Sequence, residues 1–387
     1  MDGLYSFAGA KRNRGTAMPS SIHDYIEDRA GEFDALALDI WENPEKSYEE
    51  KRSSAIHRER LEASGFTIAE FPEMAYSFMA EKGNGRPVIA IMGEYDALPG
   101  MSQTCSATQE ARVPGAAGHA CGHNLLGMGA LAAAEALAVA LAMARLPGTV
   151  RYYGCPAEEG LGRIPLVKAG RFDDADAALT WHPADVNTPH RYTTSANIAM
   201  VFRFTGRASH AGMAPHAGRS ALDGVQILNI GLEFLREHVE RGTLIHYIIS
   251  DGGARPNIVP EHAATTLYLR APTADALRRV TARVLKVARG AAIMTETRVA
   301  REITHGKCDF IPNDAIHDRM AAVMGGMPLP KPTPAELDFA RALAATVPRR
   351  DREATLAPIG APLALLRCVV HGEVGDFGAG CRIGGSL

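Results

Sequence analysis

A chain of 387 residues has the length for two to three domains of ordinary size. With 46% hydrophobic and 22% charged residues it has the composition of a globular protein, which excludes disorder, collagen and coiled coil as whole-chain descriptions. A formal charge of −3 and 6% aromatic residues supply neither a basic field nor a stacking surface, so nucleic acid and an anionic membrane are not expected partners.

The predicted elements begin after an extension. Residues 1–19 carry no apolar stretch of signal-peptide type and are expected to be disordered. Ile22, Tyr25, Ile26, Phe33, Leu36 and Leu38 recur at near-helical spacing up to Asn43-Pro44, where proline disfavours further helix. A second helix, EEKRSSAIHRERLEASG, ends at Gly65. Strands over 75–82 and 87–94 follow, joined by Gly83-Asn84-Gly85; the second, PVIAIMGE, is a continuous apolar run of the kind buried in a parallel sheet. The stretch 125–144, LLGMGALAAAEALAVALAMA, is long enough to span a membrane. It is mostly small residues and carries Glu135, so a buried, closely packed helix is expected, with no membrane. Strands are predicted over 148–155 and 177–182. This alternation indicates a mixed-sheet α/β domain.

Residues 187–303 change character. They read strand, helix, strand, strand, helix, strand, a ferredoxin-like βαββαβ order. The expected architecture is an α/β catalytic domain over 20–186 and 304–387, interrupted by this inserted domain. The last segment has one plausible helix, 334–345.

Six cysteines (Cys105, Cys121, Cys155, Cys308, Cys368, Cys381), none in a CxxC pair, are too sparse for a disulfide scaffold. A reducing, cytoplasmic compartment is expected. The densest chemical signal is GHACGHN (118–124). The Cys121 thiolate and the His123 imidazole, two residues apart on a tight glycine turn, can face one cation, and both suit zinc or another transition metal. Either alone is more often an ordinary core residue. Glu158 and Glu159 stand at the end of a buried-type strand; adjacent carboxylates point different ways, so one can bind metal while the other works as general base. A bare acidic pair is otherwise a solvated turn. His182 closes the next predicted strand. In the inserted domain His210 can donate to an oxyanion, and Arg270, beyond Asn257, can hold a carboxylate; taken singly these are weak signals.

Six stretches carry a family resemblance: GEYDALPG (93–100), GHACGHNLLG (118–127), YYGCPAEEG (152–160), ALTWHP (178–183), ASHAGMAPHAGRSALD (208–223) and PNIVP with YLRAP (256–272). Together they resemble the dinuclear-metal amidohydrolases, which include aminoacylases, glutamate-releasing carboxypeptidases and indoleacetyl-amino-acid hydrolases. GEYDALPG, Asn124 and FDDADAALTWHP (172–183) resemble in particular the branch that cleaves p-aminobenzoyl-glutamate.

The resemblance implies two divalent ions, zinc or manganese, and no organic cofactor. Cys121 would bridge them, His123 and Glu159 would complete one site, and His182 would serve the other. Glu158 would be the general base and Asp96 an orienting residue. His210 would stabilise the oxyanion in a neighbouring subunit, and Asn257 and Arg270 would hold the substrate's carboxylate. The inserted domain would form a homodimer, or a heterodimer with a related subunit. The substrate would be a small amide whose amine half carries a carboxylate.

Two departures stand against the family pattern. The loop after Glu159, GLGRIPLV, replaces a glycine-rich run, and Pro165 stiffens it. The family's terminal GTPxH-like histidine has no counterpart; His371 stands in another context, and 373–377 (EVGDF) only echo the preceding family segment. The chain therefore reads as C-terminally truncated. Besides the amidohydrolase, two readings remain: a non-catalytic dimerising subunit, and a cysteine hydrolase with Cys121 as nucleophile.

Overall fold

The computed structural model describes residues 22–160, 162–184, 187–189, 191, 193–327, 332–348 and the strand 380–383. Cys368, His371, 373–377 and the extension 1–19 lie outside these residues. The chain forms two compact units: one runs to Arg191 and resumes at Asn313, the other is Tyr192–Pro312.

The first unit is built on a five-stranded sheet. Its strands are β1 (Thr67–Glu70), β2 (Phe78–Asn84), β3 (Val88–Glu94), β4 (Gly148–Cys155) and β5 (Ala177–Leu179), in the order β1-β2-β4-β3-β5. β3 runs parallel to both β4 and β5, while β2 is antiparallel to β4. The apolar run of β3 is explained by burial on two faces. Ile89 and Ile91 pack with helices α1 (Ile22–Glu42) and α3 (His123–Ala144), whereas Ala90 and Met92 join Phe71, Tyr153, Leu166 and Phe172 on the other side. Helix α2 (Lys51–Ala63) contributes the fully buried Leu61.

Small residues let α3 approach the sheet. A Cβ at Gly127 would lie 2.6 Å from the Glu94 carbonyl oxygen, so only glycine fits there. Although α3 is long and apolar enough to cross a membrane, over half of its most apolar window is buried within the protein. Its Glu135 is buried and accepts hydrogen bonds from Tyr25 Oη, Arg60 Nε and Nη2, and Ser64 Oγ, at 2.5–3.1 Å. A charge satisfied in this way belongs to a packed interior.

Several sequence expectations are corrected. The strands over 75–82 and 87–94 do not pair, because β4 lies between them. β1 escaped notice. The strand predicted over 177–182 ends at Leu179, and His182 instead opens β6 (His182–Ala184). β6 and β7 (Thr188–Pro189) flank β12 (Gly380–Ile383) in a small sheet, with Arg382 opposite His182. A short helix, α4 (Ile164–Lys168), holds Pro165 in its first turn, where proline is tolerated. Among the described residues the last segment has two helices, α7 (Asp314–Gly325) and α8 (Pro334–Thr346); α7 has no buried residue, and its weak periodicity hid it.

The second unit follows the predicted order: β8 (Ala196–Thr205), α5 (Ala221–Arg236), β9 (Leu244–Asp251), β10 (His262–Ala271), α6 (Ala274–Met294) and β11 (Arg298–Lys307). The sheet order β11-β8-β10-β9 is antiparallel throughout and ferredoxin-like. Met200, Phe202, Phe204, Leu267 and Leu269 face the helices; the other face of the sheet carries Asn197, Arg203, Tyr268 and Arg270. β11 runs past Ile303 to Lys307 through a bulge between Ile303 and His305.

Candidate metal centre

The site forms where β3, β4 and the start of α3 meet. Gly122, at φ +76°, makes the left-handed turn that ends the loop and starts α3 at His123. That turn carries Cys121 and His123 to one place, and β6 brings His182 to them. The thiol and both imidazoles each offer a donor atom within 4.8 Å of the others. Cys121 Sγ lies 3.2 Å from His182 Nε2. The His123 and His182 imidazoles beside the sulfur hold the Cys121 thiol below its usual range.

Each histidine has one nitrogen committed elsewhere. His123 Nδ1 donates to Asp96 Oδ1 at 2.9 Å, and His182 Nδ1 donates to the Pro183 carbonyl at 2.8 Å. In the neutral tautomer that these bonds select, both Nε2 atoms would present lone pairs, the arrangement that metal-ligating histidines adopt. His123 Nε2 is buried without a hydrogen bond and faces Glu94 Oε2 at 3.4 Å and Glu158 Oε2 at 4.0 Å. Burial alone would lower the His123 pKa, but Asp96, Cys121 and Glu94 outweigh it and raise it to about 11. An imidazole held so strongly charged marks a place where buried anions demand a cation. The donor set, soft thiolate with imidazole and carboxylate, fits zinc or another transition metal.

Glu94, His123 and Glu158 form a second possible ligand group. His123 belongs to both groups yet has one free nitrogen, so it cannot by itself serve an ion in each. Burial, then the Glu94 charge, raise the Glu158 pKa. Glu159 is exposed, and its carboxylate joins neither group among the described residues. Its backbone N–H donates to Asp96 Oδ2 at 3.0 Å. Asp96 also accepts from Ser47 Oγ at 2.8 Å, so one carboxylate orients the histidine and ties down the Glu158–Glu159 turn.

Three charged residues here escaped the sequence reading. Glu94 ends the apolar strand β3, a signal that could have found it. Arg163, in the loop that departs from the family pattern, reaches back to pair with Glu94 and is held protonated despite its burial. Glu50 is fully buried and accepts the Ala157 N–H at 2.7 Å, bracing a residue at φ +55° just before Glu158. Cys155, at the end of β4, is buried, and burial pushes its thiol up to about 12, so it is no nucleophile.

In the second unit His210 is exposed, and its Nδ1 accepts N–H groups from Gly212 and Met213, both at 3.2 Å. Nε2 is then the protonated nitrogen, turned outward as a donor. Ala211 N donates to the Asn257 carbonyl at 3.0 Å, which brings His210 and Asn257 together. Their loops join at the His262 end of β10, where Gly206 N donates to Glu261 O. Arg270 stands near the opposite end of β10. Eight residues at 3.3 Å separate it from His262, about 26 Å. One chain therefore does not bring Asn257 and Arg270 together.

Residues 192–293 match the family model described as the peptidase dimerisation domain. The chain is 41% identical to one of the subunits of the p-aminobenzoyl-glutamate hydrolase of Escherichia coli (strain K12), over 88% of this chain and 72% of that protein. It is 32% identical to the Xaa-Arg dipeptidase of Mus musculus, over 75% and 67% of the two chains. Among solved structures it shares the fold of an aminobenzoyl-glutamate utilization protein from Klebsiella pneumoniae (TM-score 0.58, 18% identity, covering 94% and 92%). It also shares that of a dinuclear metal-binding M20-family peptidase from Bacillus subtilis (TM-score 0.56, 22% identity, covering 76% and 80%). The chain belongs to the M20 peptidase family of dinuclear-metal amidohydrolases and is a metal-dependent hydrolase of C–N amide bonds.

Proposed function

We propose that this protein cleaves the amide of an N-aroyl or N-acyl amino acid, with p-aminobenzoyl-glutamate, split to p-aminobenzoate and glutamate, as the preferred substrate. The observation that carries the proposal is the gathering of Cys121, His123 and His182, with Nε2 of both histidines presented inward and Glu158 alongside. The kinship to the Escherichia coli hydrolase supports the choice of substrate.

These donors would hold a divalent ion, which would supply Lewis acidity for the amide carbonyl and lower the pKa of water towards neutrality. Glu158, its pKa raised by burial and by Glu94, takes the proton from the attacking water and hands it to the departing amine, a contribution of about 10²–10⁴-fold. Asp96 keeps His123 in the ligating tautomer. Glu159 is the remaining ligand in this reading.

His210 and Asn257 lie on loops beyond the His262 end of β10, and Arg270 lies about 26 Å along the strand from His262, too far for one small amide to touch both ends. His210 and Asn257 therefore serve the active site of a second subunit, either another copy or a related chain, while Arg270 serves the substrate's carboxylate. His210 donates its Nε2–H to the developing oxyanion.

The test is release of p-aminobenzoate from p-aminobenzoyl-glutamate by zinc- or manganese-loaded protein, with loss on chelation and recovery on metal return. No hydrolysis of any N-aroyl or N-acyl amino acid would end this reading in favour of a dimerising subunit. Activity that survives chelation would favour a Cys121 nucleophile. A second substrate class, dipeptides, is favoured by kinship to the mouse dipeptidase, and the same assay with dipeptides separates it.

A further inference from the structure

The open face of the β8–β11 sheet is not uniform in charge. At one end Arg203 pairs with Glu302. At the other, Asn197 on β8 stands directly between Arg270 on β10 and Lys307 on β11. In the next row of the same face Tyr268 lies between Ala199 and His246, and His305 lies opposite Ala199. These two rows hold Arg270, Lys307, His246 and His305 and no carboxylate from any of the four strands. Asp309, just beyond β11, has its Oδ1 engaged by the Ala274 N–H at the start of α6. Arg270 and Lys307 are thus without a neutralising carboxylate in these rows.

Two further observations point to a ligand. Asn197 is only 7% exposed, and its Oδ1 is buried without a hydrogen-bond partner, although the residue lies between two exposed cations. Buried amides normally satisfy that capacity, so the strip holds an acceptor ready for a donor such as the N–H of an amide, flanked by two cations ready for carboxylates. Arg270 is also braced: its guanidinium lies 5.7 Å from the centre of the Tyr268 ring, and the Tyr268 hydroxyl is paired with His305 Nε2. Strands sit about 4.8 Å apart, so Arg270 and Lys307 leave the sheet about 10 Å from each other across Asn197. Flexible side chains can close that span onto two carboxylates of one small molecule.

We propose that Asn197, Arg270 and Lys307 form a recognition strip for an amine half bearing two carboxylates, with Lys307 selecting acidic amino acids over neutral ones. Arg270 takes the carboxylate common to all amino-acid amides. Lys307 takes the side-chain carboxylate that only glutamate or aspartate supplies. This assignment rests on the amidohydrolase reading above and adds to it the residue that sets specificity.

The experiment compares kcat/KM for N-benzoyl-L-glutamate and N-benzoyl-L-alanine in the metal-loaded wild type and Lys307→Met. A charge-assisted hydrogen bond lost on one substrate only should reduce the glutamate-to-alanine ratio by about 10–100-fold, through KM for the glutamate compound. Lys307→Glu should lower the ratio further. A ratio unchanged in Lys307→Met would overturn the proposal. If neither amide is hydrolysed the functional reading fails, and the strip is decided by calorimetry with glutarate and butyrate as probes. Glutarate binding that exceeds butyrate binding, and that Lys307→Met abolishes, supports the strip. Equal binding of the two probes, or glutarate binding indifferent to Lys307, refutes it.

Discussion

The 2.9 Å hydrogen bond from His123 Nδ1 to Asp96 Oδ1 decides which nitrogen of that ring faces Cys121, Glu94 and Glu158. With Asp96 replaced by alanine, His123 can rotate or change tautomer, and the Glu158–Glu159 turn loses its tether through the Glu159 N–H. Asp96→Ala should weaken metal binding about 10–100-fold in a competition titration against a chromophoric chelator. Unaltered affinity would remove Asp96 from its orienting role.

Arg163 and Glu94 form a buried ion pair, their side chains 16% and 4% exposed. Removing one partner of such a pair typically costs about 3–5 kcal/mol, and with His123 still 3.4 Å from Glu94 the lower end of that range is expected. Arg163→Met should show a loss of that size in urea denaturation, and the double variant Arg163→Met/Glu94→Gln should recover most of it. A single variant as stable as the wild type would mean that Glu94 finds another partner.

Glu50 should leave a pH signature. Burial raises its pKa from 4.5 to about 7. The folded protein then keeps a proton that the unfolded chain has already released, so this group's contribution is full below about pH 4.5. It is lost as pH rises through about 7, a loss of about 3 kcal/mol over the window. Glu50→Gln keeps an acceptor for the Ala157 N–H and has no proton to lose. The stability difference should therefore grow in favour of the variant between pH 5 and pH 8, as read from urea midpoints at each pH. A difference that does not vary with pH would contradict the buried-carboxyl assignment.

The separation of His210 from Arg270 makes a mixing experiment decisive for the two-subunit arrangement. Glu158→Gln alone should lose about 10²–10⁴-fold in turnover and His210→Ala about 10²–10³-fold. In a dimer that shares residues across its interface, hybrids of the two variants regain one intact site. An exchanged mixture should then reach about a quarter of wild-type activity. No recovery after demonstrated exchange would place His210 in the active site of its own chain.

How much of this was legible in the sequence depends on where each residue stands. Cys121, His123 and Glu158 were readable because they lie at the ends of strongly patterned elements, beside glycines that only a tight turn explains. The inserted βαββαβ order was readable from its alternating strands and amphipathic helices. His182 stood out in the sequence, but its strand was misplaced, because AALTWH is a largely apolar run although pairing with β3 stops at Leu179. Glu50, Glu94 and Arg163 looked like ordinary surface charges. Only tertiary packing buries Glu50 against the Ala157 turn and folds Arg163 back onto Glu94. Likewise, the row Arg270–Asn197–Lys307 depends on register between strands far apart in sequence, which no local pattern encodes.

The central claim is that Cys121 joins His123 and His182 around a metal ion. Replacing the bound metal by cobalt tests this most directly, because a thiolate ligand produces an intense sulfur-to-cobalt charge-transfer absorption in the near ultraviolet. The wild type should show this absorption together with metal-dependent amide hydrolysis, and Cys121→Ser should lose the absorption. A cobalt-loaded, active wild type without the band, or a band that persists in Cys121→Ser, would contradict it.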